Sequence, residues 1–387
     1  MSYRALARSA PPHFFAVGLL ARLPYAITPV GSLLLLQDAT GSHAFAGLAA
    51  GAQSIAVAAA GWAAGWLVAR FGVRRFGMVL AVCNALSAGL LVAAATSGVR
   101  AAMVGAAVLV GLTQPHVGLL VRVHWSHQLG RGTATLRTAF AYESAADELS
   151  FVAGPAVAGL FAVVRPGDGP VLGMVLLLLA ASLPFAAMYT RGPAERAAEP
   201  GRLPLRGMVP LVAAMMAVGA VFGSVQALVT ASAGTGAGLL YACLGVGSAA
   251  AGVAYAWLPP SFRLGDRQLV FSVTLVLGMA ALALSPWPAP GILVAGCAVA
   301  PYMITLYALT DALTPAARLP VAMAALGAGG PVGTAVGQAL TGALVDGAGI
   351  AAAWWVPVGC AGAGLVVALV RRGGRGPRSG CPTDRGA

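Results

Sequence analysis

The sequence predicts an all-α membrane protein in which twelve transmembrane helices form two six-helix bundles. Three observations predict this fold class. Hydrophobic residues make up 59% of the 387 residues and charged residues only 9%, whereas soluble domains carry roughly a quarter charged residues. Apolar runs long enough to cross a bilayer recur along the whole chain. The arginines lie almost entirely in every second connection between these runs, as they do in loops on one side of a membrane.

The individual spans follow from the length of each apolar run, because a spanning helix needs about 20 such residues. The division near residue 233, within TASAGTGAG, is the least sharp. The first run follows Arg4 and Arg8 as a signal peptide would, but it is too long and lacks a cleavage site, so we expect it to be retained. We predict spans at residues 13–37, 44–69, 76–96, 100–122, 138–164, 171–190, 208–231, 236–258, 268–286, 290–313, 321–346 and 350–370.

The positive charge indicates the orientation and the compartment. With the N-terminus inside, every arginine except Arg22, Arg100 and Arg165 lies in or beside a cytoplasmic segment, as the positive-inside rule requires. We therefore expect a multi-pass protein with both termini in the cytoplasm. The net charge of +12 then belongs to the loops of one leaflet, which argues against nucleic-acid binding. Abundant Ala and Gly and the absence of Lys are typical of a GC-rich bacterial genome, which favours a bacterial inner membrane.

The longest polar connection separates the two predicted bundles. Residues 191–207, RGPAERAAEPGRLPLRG, have the Pro-rich and Arg-rich composition of a linker. They divide the chain into an N-terminal bundle, residues 1–190, and a C-terminal bundle, residues 208–370. A basic tail, residues 371–387, follows, and we expect it to be cytoplasmic and disordered. The two halves echo each other, since the fifth and the eleventh span each contain a Gly-Pro.

A loop motif supports a family resemblance. The segment GWLVARFGVRR after the second span matches a known loop signature at five positions, with Ala69 where an acid is expected. Together with the twelve spans, the central linker and the internal termini, this resembles the major facilitator superfamily up to about residue 370. The resemblance implies halves that rock about a mid-membrane cavity. It also implies that the matched residues form a gating loop, and these are Gly65, Arg70, Gly72, Arg74 and Arg75.

The Gly-Pro of the fifth span carries a second resemblance. Gly154 and Pro155, with Gly159 following, resemble the superfamily's antiporter signature, although Ala158 stands in place of a paired glycine. The resemblance implies a bend in this helix and favours export. With acids before this Gly-Pro, the chain resembles bacterial proton-linked drug and metabolite exporters more closely than sugar-uptake members.

Three carboxylates precede this Gly-Pro in a segment that is otherwise apolar or small. Burying a carboxylate at mid-membrane costs roughly 2.5–3.5 kcal/mol even on lenient scales, so such residues face a cavity or a partner. Glu143 and Asp147 share one helix face, and Glu148 is turned about 100° away. Arg22 lies about 14 Å deep in the first span, level with Asp147 at about 15 Å. We therefore expect Arg22 to pair with Asp147 or Glu148.

The remaining acid is a candidate for proton coupling. A carboxylate without a cation can bind and release a proton during transport. Glu143 is the first candidate for this role and Glu148 the second, with Asp147 as part of the same coupling cluster. The alternative is that the ion pair only locks the first helix to the fifth.

Several other polar residues are candidates for the substrate cavity. Gln114 and His116 lie in the fourth span, and Tyr302 and Thr305 lie in the tenth. His116 is alternatively a proton relay, since histidine titrates near neutral pH. Asp311 is expected to cap its helix or to pair with Arg318, and alternatively to form a gate. We expect His124 and His127 to lie in an interfacial loop with Trp125.

The sequence thus predicts a secondary transporter that exports a small organic molecule in exchange for protons. The alternatives are proton-linked uptake, or a sensor or scaffold that has kept the fold and lost transport. No GxSxG, HExxH or Walker motif is present, so we expect no enzyme activity, no cofactor and no metal. The expected partners are a small-molecule substrate, protons and the lipid bilayer, and we expect a monomer.

Overall fold

The computed structural model is all-helical over the residues that it describes, with no strand among them. The described residues are 3–129, 133–189, 205–259, 261–285, 288–315 and 318–373. Most of the predicted linker and the tail beyond residue 373 lie outside them. Residues 205–207, which we assigned to the linker, begin a helix, and the last helix extends to Gly373.

The first half contains six predicted spans, three of which are divided into shorter helices. The chain begins with a short helix, α1, and the turn of π-helix Leu178–Ser182 joins α9 to α10. The helices are α1 Tyr3–Ser9, α2 Pro12–Leu20, α3 Leu23–Thr40, α4 His43–Phe71, α5 Val73–Ser97, α6 Arg100–Thr113, α7 Val117–Leu129, α8 Ala134–Val164, α9 Gly169–Leu177 and α10 Leu183–Ala187.

The second half repeats this arrangement with two divided spans. A short 3₁₀ turn, Gly234–Gly236, separates its first two helices at the boundary that was least sharp in the sequence. The helices are α11 Leu205–Ala233, α12 Ala237–Ala254, α13 Leu264–Leu284, α14 Pro288–Gly296, α15 Val299–Leu313, α16 Leu319–Ala348, α17 Ile350–Ala353 and α18 Val356–Gly373.

The helices give a multi-pass membrane protein. Ten stretches of the described chain are long and apolar enough to cross a membrane. One of them, residues 207–254, contains both α11 and α12, and the 30-residue helix α16 lies outside the ten. These helices account for the twelve predicted spans.

Prolines explain where the spans break. Pro24 cannot donate the hydrogen bond that would continue α2, so the helix ends at Leu20 and α3 begins at Leu23. Pro115 similarly ends α6 at Thr113, and α7 begins at Val117. Gln114 and His116 therefore lie in a break between two helices, whereas the sequence placed them inside one continuous helix.

The two halves meet along two pairs of long helices. Helix α16 packs against α4, and α12 packs against α8. Both contacts depend on glycines that leave no room for a side chain. A Cβ at Gly47 would overlap the carbonyl oxygen of Gln338, and a Cβ at Gly342 would overlap that of His43. A Cβ at Gly238 would likewise overlap the carbonyl oxygen of Pro155.

The α4 and α16 contact predicts a large difference between two Gly→Ala substitutions. Gly47→Ala forces the helices apart, and we expect it to lower the free energy of unfolding by about 1–3 kcal/mol. Gly89 in α5 has open space around it, so Gly89→Ala should leave stability unchanged or raise it slightly through helix propensity. Thermal unfolding of both variants in detergent measures the difference. Equal melting temperatures would contradict the packing.

Candidate functional site

Arg22 is the centre of a buried ion-pair network between the first and the fifth span. Its Nη2 donates to Oε2 of Glu143, and its Nε donates to Oδ1 of Asp147 at 2.8 Å. The third donor, Nη1, binds the carbonyl oxygen of Gly18 at 2.6 Å. Only 4% of the Arg22 side chain and 1% of the Glu143 side chain are exposed. The expected pair with Asp147 is present, and Arg22 forms no pair with Glu148.

The break in the first span explains how Arg22 reaches this position. The chain leaves helical register at Ala21 and Arg22, because Pro24 ends the preceding hydrogen-bond ladder. The freed carbonyl oxygen of Ala21 accepts a hydrogen bond from Oγ of Ser182 at 3.0 Å. A guanidinium with several neighbouring acceptors satisfies the requirement that buried charges are both paired and hydrogen-bonded.

The structure corrects the expectation that Glu143 lacks a cation. Besides Arg22, Glu143 accepts a hydrogen bond from the indole Nε1 of Trp125 at 2.6 Å. The expectation failed because the break at Arg22 directs its guanidinium towards both acids of one helix face. Glu143 is therefore held between a cation and a donor, in a site closed to water.

The aromatic cluster around Glu143 also differs from the prediction. His124 and Trp125 lie in α7, not in an interfacial loop, and both are buried. Their rings contact Phe14, whose centroid lies 5.2 Å from that of Trp125 and 5.3 Å from that of His124. No local sequence pattern predicts this position, because Trp occurs both at membrane interfaces and in packed cores.

Asp147 joins a second arginine to the network. Oδ2 of Asp147 lies 2.9 Å from Nη1 of Arg122, which comes from α7. Arg122 also donates to the carbonyl oxygen of Gly118 and to Oγ of Ser144. The Asp147 side chain is 27% exposed and Arg122 30%, so this outer pair contacts open space while the Glu143 pair does not.

A central cavity of about 340 Å³ lies between the two halves. Its wall comes from α3, α4 and α8 of the first half, from α11, α12, α15 and α16 of the second, and from the break after α6. Most of the wall is apolar or aromatic. The aromatic side chains of the wall are Tyr25, Phe151, Phe222, Tyr241 and Tyr307.

Glu148 is the only acidic or basic side chain in the described wall of this cavity. It is exposed to the open space, and no arginine or histidine among the described residues lies within ion-pair distance of it. The helical turn of about 100° between Asp147 and Glu148 explains the separation. One carboxylate faces the ion-pair network, and the other faces the cavity.

Some amide groups in and beside the cavity wall are hydrogen-bonded, and others have no partner. Gln114 donates to Oγ1 of Thr28 at 3.0 Å, and Gln338 donates to Oε1 of Gln226 at 3.0 Å. The oxygens Oε1 of Gln53 and Oε1 of Gln114 are buried without a partner. Unsatisfied buried acceptors are uncommon and require an explanation.

A smaller cavity of about 210 Å³ adjoins the central one. It shares Tyr25 and Phe151 with the central cavity and reaches Arg22, Arg122 and Asp147. The two cavities thus connect the exposed side of the ion-pair network with the wall that carries Glu148.

The other predicted cavity residues have different positions. Gln114 lines the central cavity, whereas His116 lines the smaller one. Tyr302 and Thr305 do not line the central cavity. The Tyr302 hydroxyl donates to the carbonyl oxygen of Gly364 at 3.3 Å, and Thr305 donates to that of Pro301 at 2.8 Å. We predicted that both residues line the cavity, because the sequence does not reveal which face of α15 lies towards the cavity.

Met303, Ile304 and Tyr307 form the cavity face of α15 in their place. Asp311, near the end of the same helix, is exposed and forms no ion pair with Arg318.

The predicted loop and bend residues have clear local structures. Gly72 has φ 78° between α4 and α5, a conformation that only glycine adopts readily. The guanidinium of Arg70 lies 5.4 Å from the ring centroid of Trp66. Gly65 lies within α4, and Arg74 and Arg75 lie in the first turn of α5. Helix α8 runs through Pro155 without a break, and Gly154 packs directly on Ala26.

A polar contact that the sequence does not predict lies at one end of the interface between α4 and α16. Asp346, near the end of α16, accepts hydrogen bonds from Oγ of Ser42 and the backbone nitrogen of Ala44, both at 2.8 Å. It also binds the backbone nitrogen and Nδ1 of His43 at 3.1 and 2.9 Å. A carboxylate at a helix N-terminus is favourable. Asp346 thus closes the space between the halves at this end.

Among the described residues, no group of three or more His, Cys, Asp or Glu side chains could hold a metal ion.

Several transporters of solved structure have a similar fold. The nucleoside transporter NupG matches with a TM-score of 0.72 and 15% identity, over 93% of this chain and 97% of that chain. The D-xylose-proton symporter matches with a TM-score of 0.66 and 16% identity, over 92% and 95%. The human organic anion transporter MFSD10 (TETRAN) matches with a TM-score of 0.64 and 17% identity, over 93% and 100%.

The sequence matches no protein-family model and no curated protein sequence. Identities this low show the fold alone, and the chain has the same all-α fold as these transporters.

The ion-pair network predicts a strong dependence of stability on Arg22. Arg22→Met leaves Glu143 buried without its cation, and we expect a loss of about 3–5 kcal/mol in the free energy of unfolding. The double variant Arg22→Met/Glu143→Leu removes both charges and should recover much of that loss. Thermal unfolding of the two single variants and the double variant gives the coupling energy. Additive effects would show that the pair does not stabilise the contact.

The contact of Asp346 predicts a change in access to the cavity. Asp346→Ala removes four hydrogen bonds across the interface, so the halves should separate more often at this end. Labelling of a Ser54→Cys probe by an impermeant maleimide, in an otherwise cysteine-free protein, should become faster. Asp168→Ala, in the loop between α8 and α9, is the control and should leave the rate unchanged. An unchanged rate in the Asp346 variant would contradict the closure.

Proposed function

We propose that the chain is a secondary active transporter that exports a small organic molecule in exchange for protons by alternating access. The observation that carries this proposal is a cavity between two helical halves with one unpaired carboxylate, Glu148, in its wall. The protein acts in a bacterial inner membrane as a monomer, with both termini in the cytoplasm. The substrate crosses the membrane chemically unchanged in this proposal, which therefore includes no enzyme activity.

Alternating access follows from how the halves meet. Ser42, His43 and Ala44 bind Asp346 at one end of the interface, and the glycine contacts between α4 and α16 lie near that end. The Arg-rich connections, which we assign to the cytoplasm, lie at the opposite end. On this assignment the contacts of Asp346 close the outer end of the interface, and transport requires them to break when the cytoplasmic ends come together.

Glu148 carries the exchanged proton in this proposal. Asp147 precedes it on α8, and Tyr307 lines the same cavity from α15 of the second half. Arg122 and His116 line the adjoining smaller cavity. None of these groups forms an ion pair with Glu148, so it can bind a proton without breaking the Arg22 network. When the cavity opens to the other side, the same carboxylate releases that proton.

Glu143 and Asp147 have positioning roles. Glu143 is held by Arg22 and Trp125 and keeps the first span attached to the fifth. Asp147 bridges Arg22 and Arg122 at the edge of the smaller cavity. This assignment keeps all three acids in the coupling cluster and moves the proton from Glu143 to Glu148.

The direction of transport rests on the fifth span. Gly154 packs on Ala26, and the carbonyl oxygen of Pro155 lies against Gly238, so the Gly-Pro joins α8 to both α3 and α12. The resemblance of Gly154 and Pro155 to the antiporter signature is what favours exchange over symport.

Flux in proteoliposomes tests the proposal. With an acidic lumen, an exchanger accumulates substrate inside, whereas a symporter requires an acidic exterior and a scaffold gives no flux. We expect accumulation only with the acidic lumen, for at least one member of a panel of dyes, antibiotics and amino acids. Substrate accumulation only with an acidic exterior, or none at all, would contradict the proposal.

The same assay tests the carboxylate. Glu148→Gln cannot exchange a proton, and it should reduce pH-driven accumulation roughly tenfold or more, the scale of losing one charged interaction. Asp168→Asn removes the same charge outside the cavity and should transport normally. Full pH-driven accumulation by Glu148→Gln would remove Glu148 from the coupling mechanism.

A further inference from the structure

We infer that the central cavity selects organic cations with an aromatic or apolar body, and that Glu148 is their counterion. This inference rests on the proposed transport function and names the class of its substrate. It is drawn from the charge, the aromatic lining and the size of the cavity.

The charge of the wall favours a cation. Glu148 is the only acidic or basic side chain of the described wall. The two nearby arginines, Arg22 and Arg122, lie beyond the central cavity and are neutralised by Glu143 and Asp147. An anionic substrate would therefore meet a carboxylate and no cation, which is unfavourable in an environment of low dielectric constant.

The aromatic lining favours the same class of molecule. Tyr25 and Phe151 lie on the side of the first half, and Phe222, Tyr241 and Tyr307 lie on the side of the second half. Aromatic faces attract a cation through the ring quadrupole, and more strongly when water is excluded. They also provide an apolar surface for the body of the molecule. Rings from both halves would thus contact one bound ligand.

The size of the cavity suits the same class of molecule. Its volume of about 340 Å³ accommodates a small organic cation.

The proton and the organic cation then compete for Glu148, and this competition couples their transport. The carboxylate binds either a proton or the cation, so release of one on each side of the membrane permits binding of the other. This arrangement requires no second coupling site. It also predicts that acidification weakens cation binding, because the protonated carboxyl no longer attracts the charge.

Equilibrium binding to the purified protein tests the inference without any gradient. Benzyltrimethylammonium and benzylsulfonate share an aromatic body, carry fixed opposite charges and do not titrate near neutral pH. We expect the cation to bind the wild-type protein at least tenfold more tightly than the sulfonate, with a detergent-only blank subtracted. Equal affinities, tighter binding of the sulfonate or no binding of the cation would overturn the inference.

Variants of the wall locate the binding. Glu148→Gln should weaken cation binding roughly tenfold or more, and Glu148→Asp, which keeps the charge, should retain most of it. Tyr307→Leu should weaken it several-fold through loss of the ring. Asp168→Asn is the matched control and should bind normally. Unchanged cation binding in Glu148→Gln would overturn the role of this carboxylate.

The outcomes separate this inference from the proposed function. If the panel shows pH-driven exchange of a neutral or anionic molecule while the cation does not bind, the substrate class is wrong and the exchange mechanism stands. If the cation binds through Glu148 without any pH-driven flux, the substrate class stands and proton exchange fails.

Discussion

The ion pairs of Arg22 are the constraint on which the rest of this structure depends. A guanidinium in an apolar span must be paired, because the alternative is a buried charge without a partner. Arg22 meets this requirement with Glu143, Asp147 and the carbonyl oxygen of Gly18. The break before Pro24 makes the geometry possible, and the resulting contact fixes the first span against the fifth. These two spans contribute α3 and α8 to the cavity wall.

The three acids of α8 have different environments although they lie within six residues. Glu143 is enclosed by Arg22 and Trp125, Asp147 bridges two arginines at the edge of a small cavity, and Glu148 faces the central cavity without a cation. Helix geometry alone produces this division, because residues four apart share a face and the next residue does not. The buried pair of Arg22 and Glu143 holds the first span against the fifth, whereas the Glu148 carboxylate lies in the cavity wall without a described cation partner.

The sequence predicts the spans and one ion pair well because both follow from simple physical limits. Apolar length gives the twelve spans, and equal depth gives the pair between Arg22 and Asp147. The sequence does not reveal which partner a charged side chain selects when two lie on one face, so Glu143 was misjudged. The sequence also does not show which face of α15 lines the cavity. Tyr302 and Thr305 were predicted to line it, but they pack away from it. The closure by Asp346 joins residues about 300 positions apart, and neither side carries a local pattern that predicts the contact.

In our proposal Glu148 is the acid of this cluster that exchanges the proton, whereas Glu143 and Asp147 are held in ion pairs with arginine. Difference infrared spectroscopy of the purified protein, recorded between neutral and acidic pH, measures the protonation of individual carboxyl groups directly. If Glu148 exchanges the proton, one carboxyl band appears on acidification, persists in Asp147→Asn and disappears in Glu148→Gln. A band that remains in Glu148→Gln and disappears in Asp147→Asn would contradict the account.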